Sequence, residues 1–174
     1  MRKIFRLIMV AAFVAAAGCG MIKGKSALEF NDKLASCSDS LFTKGKRMGT
    51  EIGNAMKTHD FTAVTAMTND LKQYIDKQLI EIEKLENVGG SDRLKEAMLQ
   101  FLNFEKDLVG KAVMPFTKMN SSTPPEEIQT AVTTLMAKSS EENKYLEKVK
   151  TAQREYAQKN GFVIREATVP PPAQ

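Results

Sequence analysis

The residues able to do chemistry are few. The 174-residue chain holds one His (His59) and two Cys (Cys19 and Cys37). Metal sites built from several His or mixed Cys/His, and His-based proton shuttles, therefore lack partners. No Glu is followed by a His three residues later, so the Glu-x-x-His pairs of di-iron helical proteins cannot form, and no CxxCH is present to hold haem. No Ser or Cys finds a His along the apolar stripes described below, and no Gly-rich phosphate loop occurs. The expectation is a chain without catalysis, cofactor or metal. What remains is a Cys placed at the end of an apolar run, and a handful of polar residues interrupting apolar stripes.

The Cys in question is Cys19. Arg2, Lys3 and Arg6 precede about eleven apolar residues from Leu7 to Ala17, and Ala16-Ala17-Gly18 leads into Cys19. A basic start, a short apolar stretch and a small-residue exit describe an export signal, and the run is too short to span a bilayer as a mature helix. The exit resembles the lipobox of bacterial lipoproteins, whose Cys becomes the first mature residue and carries the lipid. An ordinary secretory signal ending by chance in Cys is the plainer alternative. The signal peptide is assigned to residues 1–18 and a short polar tether to residues 19–25. Acyl chains on Cys19, at roughly 0.8 kcal/mol per buried methylene, would hold the protein to a membrane without a spanning helix. Gly20 stands where an Asp marks inner-membrane retention in known lipoproteins, which points to the outer membrane.

Loss of residues 1–18 takes three of the 25 basic residues, leaving 22 against 21 acidic and a net charge of +1. The basic character belongs to the signal. No basic stripe with interleaved aromatics remains, so nucleic acid is not an expected partner.

From Ser26 onward the apolar residues recur at steps of three and four, the spacing of a helix face. Ser26 and Glu29 have capping-box spacing and set the first helix start. Its seam runs Phe30, Leu34, Cys37, Leu41, Gly45, Met48, Ile52 and Met56, interrupted at Thr58-His59-Asp60. The second runs from Phe61 through Leu71 and Ile75 to Leu85, ending at Asn87-Val88-Gly89-Gly90, with Ser91 as the next cap. The third runs Leu94, Met98, Phe101, Glu105, Leu108, Ala112, then Pro115 or Phe116, and Met119, with a kink where Pro115 lacks an amide hydrogen. Thr123-Pro124-Pro125-Glu126 starts the fourth, with Thr at the cap and Pro at the first helical position. That seam runs Ile128, Val132, Leu135, Ser139, Glu142, Leu146, Val149, Gln153 and Tyr156 to Asn160-Gly161.

Four stripes of about thirty residues with short connections imply an all-α, antiparallel up-down-up-down four-helix bundle roughly 45 Å long over residues 26–164. Residues 165–174, with Pro170-Pro171-Pro172, form a disordered tail, and Phe162-Val163-Ile164 fold back onto the bundle end.

Several positions on these helices are open to two readings. Antiparallel pairing brings Glu105 near Ser139 and Glu142, and sets Lys44 and Tyr74 at the same height. A polar middle layer would bind a small ligand; alternatively Lys44 and Glu142 reach the surface or pair to fix register. Gly45, Gly49 and Gly53 repeat at four, and close packing by Phe104 or Phe116 is preferred to a groove that receives a partner. Cys37 reads as a small buried apolar residue in preference to a reactive thiol, and the methionines on the seams as core rather than as copper ligands.

Ala27-Leu28-Glu29-Phe30-Asn31-Asp32-Lys33, Ile82-Glu83-Lys84-Leu85-Glu86 and Ala152-Gln153-Arg154-Glu155-Tyr156-Ala157-Gln158-Lys159-Asn160-Gly161-Phe162 resemble the corresponding stretches of a family of bacterial surface lipoproteins of unknown function. The resemblance covers about residues 27–164. It implies a helical bundle on the cell envelope and carries over no functional residue. The expected role is binding or scaffolding on the envelope, with an envelope protein as partner. The alternative is a small-ligand carrier or hydrolase using Lys44, Tyr74, Glu105, Ser139 and Glu142.

Overall fold

Positions spaced three and four apart become helices. A computed structural model describes Val14–Ala15 and residues 22–165 of the chain. There the chain is all-helical: α1 (Ile22–Thr58), α2 (Thr62–Glu83), α3 (Asp92–Leu108) and α4 (Pro125–Asn160). The exception is a two-residue bridge in which Val14 opposes Arg165 and Ala15 opposes Ile164. Most of the assigned signal peptide, Cys19 and residues 166–174 of the tail lie outside the described residues. Among those described, no helix is long and apolar enough to cross a membrane.

The seam residues make one core. Leu34, Leu41 and Ile52 of α1, Leu71, Ile75 and Ile82 of α2, Met98 and Phe101 of α3, and Leu146 and Tyr156 of α4 are all buried in the same apolar cluster. Taking each such side chain out of water stabilises the fold by about 1.5–3 kcal/mol. α1 and α3 each pack against both α2 and α4. Between neighbours, Lys44 meets Asp70 and Tyr74 meets the Cys37 carbonyl; Asp76 meets Lys106 and Thr65 meets the Thr117 carbonyl. Arg93 meets Glu155, Gln100 meets Lys148 and Asp107 meets Lys138.

Helix ends depart from the sequence reading. α1 starts at Ile22, ahead of the Ser26 capping box, so the expected tether is helical from Ile22 onward. Nothing in Ile22-Lys23-Gly24-Lys25 stops a helix already nucleated downstream, and adding a turn costs little. α2 closes at Glu83, short of Leu85, and the Leu85 carbonyl is taken up by Lys95 Nζ at 2.6 Å. Gly89 and Gly90 then turn with φ of 59° and 77°. Ser91 and Thr123 are not side-chain caps: their hydroxyls accept from the Val88 and Asn120 amides, bracing the loops, and Pro124 takes the cap of α4. Gly161 ends α4 in the left-handed region as expected, and Phe162 folds back edge-on against Tyr156.

The third helix does not simply kink. After Leu108 it widens into a π-helical turn, Val109–Val113, and then tightens into a 3-10 turn, Met114–Lys118. Pro115 is the cause, since it donates no hydrogen bond and its ring crowds the carbonyl four residues back. The Met114 amide accordingly reaches the Val109 carbonyl, five residues back.

Close packing over the glycines is overturned at two of the three positions. A Cβ placed on Gly45 or Gly53 would meet no heavy atom within 4 Å. Nothing there offsets the helix cost of glycine. Replacing both by Ala is expected to raise stability by about 0.5–1 kcal/mol each, read as a higher midpoint in urea; an unchanged or lower midpoint contradicts the open space at these positions.

Candidate functional site

The five polar residues expected at one height fall into two groups. Lys44 Nζ lies 2.5 Å from Asp70 and 5.3 Å from the Tyr74 ring centre. Tyr74 donates to the Cys37 carbonyl at 3.4 Å, and burial pushes its phenol up to about 12. This pair ties α1 to α2 at the surface. Lys44 therefore does not serve as counter-ion to the carboxylates of α3 and α4. Its charge is met by Asp70, itself largely exposed, where water shares the work and a pair contributes little.

Glu105 and Glu142 form the second group, with Ser139 half-buried one turn from Glu142. Glu142 does not reach the surface; it is 6% exposed. Glu105 Oε1 is buried with no hydrogen-bond partner. Both carboxyls titrate above the ordinary carboxylate range. Burial disfavours the charged form of Glu105, and the neighbouring Glu142 charge raises it further. Burial alone lifts Glu142 to about 7. Next to Glu105 and three residues after Glu142 in the chain, Phe104 and Tyr145 stack with ring centres 4.5 Å apart, topped by Lys138, whose charge goes to Asp107. Two acids with no basic partner, in apolar surroundings, hold protons near neutral pH and can offer either a hydrogen-bond donor or, once ionised, a concentrated negative charge.

No group of three or more His, Cys, Asp or Glu side chains able to hold a metal ion occurs among the described residues. Cys37 is buried, and its thiol is pushed up to about 11 chiefly by that burial, the state of a core residue rather than a nucleophile.

Sequence reasoning missed one buried polar contact. Gln153 Nε2 donates to Asn31 Oδ1 at 2.7 Å, joining α4 to α1 in the core. Gln153 was visible as a polar residue on an apolar seam; Asn31 was not, because it lies one position beyond Phe30 on the first seam. No family model, curated protein or solved structure matches this chain.

Two measurements follow from these states. Because Glu142 binds its proton more tightly in the folded chain than the ordinary 4.5, its contribution to stability is full below pH 4.5 and is lost as pH rises through about 7. Thermal midpoints should fall from pH 5 to pH 8, and Glu142→Gln should flatten that fall and stabilise the protein at pH 8 by about 2 kcal/mol; a parallel pH profile in the variant contradicts it. For Cys37, a thiol reagent should label native protein at least tenfold more slowly than urea-unfolded protein.

Proposed function

We propose that the chain is a lipid-anchored protein of the bacterial cell envelope, a non-catalytic binding or scaffolding module whose four helices run up-down-up-down. The contacts between neighbours support that topology. From Lys44–Asp70 to Cys37–Tyr74 the number falls on α1 and rises on α2, as it must when helices oppose. The same holds for α2 against the third helix, at 76 with 106 and 65 with 117. It holds again for α3 against α4, at 93 with 155, 100 with 148 and 107 with 138. The helical body runs from Ile22 to residue 164, with a signal of residues 1–18 ahead of it and a Pro-rich tail of residues 165–174 behind.

The observation that carries the anchor is the order basic start, short apolar run, Ala16-Ala17-Gly18, then Cys19. The likeness to bacterial surface lipoproteins of unknown function agrees with it, and Gly20 favours the outer membrane. Acyl chains on Cys19 then make the membrane the first partner and leave the bundle surface for an envelope protein. The buried Glu105–Glu142 pair favours a second reading, in which the bundle carries a small ligand.

The anchor is tested by fractionating cells that express the full chain with Cys19 or with Cys19→Ser. The expected result is wild type in the outer-membrane fraction, with a mature mass that starts at Cys19 and includes acyl chains, and loss of both in the variant. An unacylated wild-type Cys19 overturns it.

A further inference from the structure

We propose that Glu105 and Glu142 close one end of a binding site for a linear aliphatic amine, reached along the α1–α4 seam that Gly45 and Gly53 leave open. This deepens the carrier reading and does not depend on the anchor.

Two core contacts fix what faces what. Ser38 donates to the Met98 sulfur at 3.7 Å, so these positions of α1 and α3 look at each other across the interior. Helices α1 and α3 run the same way in the proposed topology. Seven residues on is two turns, which places Gly45 opposite Glu105. Asn31 and Gln153 fix α1 against α4, which run oppositely. Counting forward on one and back on the other sets Phe42 against Glu142, Gly45 against Ser139, and Gly49 against Leu135. Glu105 thus faces Gly45, and Glu142, set against Phe42, lies one turn from that glycine.

That stretch is open. A Cβ at Gly45 or Gly53 would meet nothing within 4 Å, and Val132, Leu135 and Ser139 on the facing side of α4 stay half-exposed although they belong to the core stripe. Further along, the seam is sealed by the Asn31–Gln153 bond. The seam thus offers a half-exposed, largely apolar strip that leads towards Glu142 and towards Glu105, whose buried Oε1 has no hydrogen-bond partner.

The chemistry selects the occupant. A cation relieves both the burial of the carboxylates and their mutual repulsion, which a neutral or anionic head group cannot do. A bare divalent ion takes six or more oxygens, and no third acidic or imidazole ligand joins the pair among the described residues. An ammonium has three donors to give and needs only the carboxylate oxygens present. An unbranched apolar tail fits a groove floored by glycine and walled by Leu135 and Val132.

The test uses the purified full-length protein with n-hexylamine, n-hexanol, hexanoate and calcium chloride as probes, followed by thermal midpoint and calorimetric titration. Hexylamine is expected to bind and raise the midpoint in a concentration-dependent way, and the other three to leave it unchanged. The double variant Glu105→Gln with Glu142→Gln should weaken hexylamine at least tenfold. Gly45→Leu, which fills the space and keeps both acids, should do the same. Equal stabilisation by hexanol overturns the amine while leaving a carrier of apolar ligands. Hexylamine affinity unchanged in both variants, or stabilisation by calcium in place of the amine, overturns the site.

Discussion

The structure depends on apolar side chains at three- and four-residue spacing leaving water together. No single helix here could hide its stripe alone, so each is stable only against its neighbours. That condition sets the terms for every polar residue falling on a stripe. It must find a partner, reach the surface, or remain buried at a cost. Asn31 and Gln153 take the first course, each satisfying the other across the α1–α4 seam. Lys44 takes the second, reaching Asp70 at the edge of the core. Glu105 and Glu142 take the third.

The third course is the informative one. A bundle of this size would be steadier with apolar residues in those two places. Glu105 faces Gly45, and Glu142 sits about one turn away, so two separate departures from good helix-packing practice fall close together along the bundle. Each alone is a local defect. Together they describe a space with a chemical character, and they do so on α3 and α4, the pair of helices joined by three separate side-chain contacts along their length.

Much of the fold was legible in the sequence because periodicity is a property of many residues at once. Errors at one position do not disturb a stripe of eight. The ends were less legible, since a cap depends on one side chain and one amide. Ser91 and Thr123 have the right type for the task, yet each hydroxyl serves a loop amide instead. Ser26 has capping-box spacing but stands inside α1, because nothing before it breaks the helix. The candidate site was half legible. Glu105, Ser139 and Glu142 were found because they interrupt stripes, and their nearness followed from the loop between α3 and α4. Lys44 and Tyr74 were added by height alone; height along a bundle says nothing of direction around a helix, and these two meet each other across the α1–α2 seam. The glycines misled for a related reason: a missing side chain records a space without saying whether anything fills it.

The widened turn at Val109–Val113 acts like a one-letter insertion in a reading frame. Leu94, Phe101 and Leu108 mark the inward line in sevens, and the next place on that line belongs to Pro115. One surplus residue in the turn passes the place to Phe116, which is fully buried and stacks on Phe61 with ring centres 6.4 Å apart. The proline is moved aside to a half-buried position, where its missing hydrogen bond does least harm. Closing that turn to ordinary helical bonding at the present chain length would swing the aromatic anchor about a quarter-circle out of the interior, whereas a chain one residue shorter there would keep it facing inward without the widened turn.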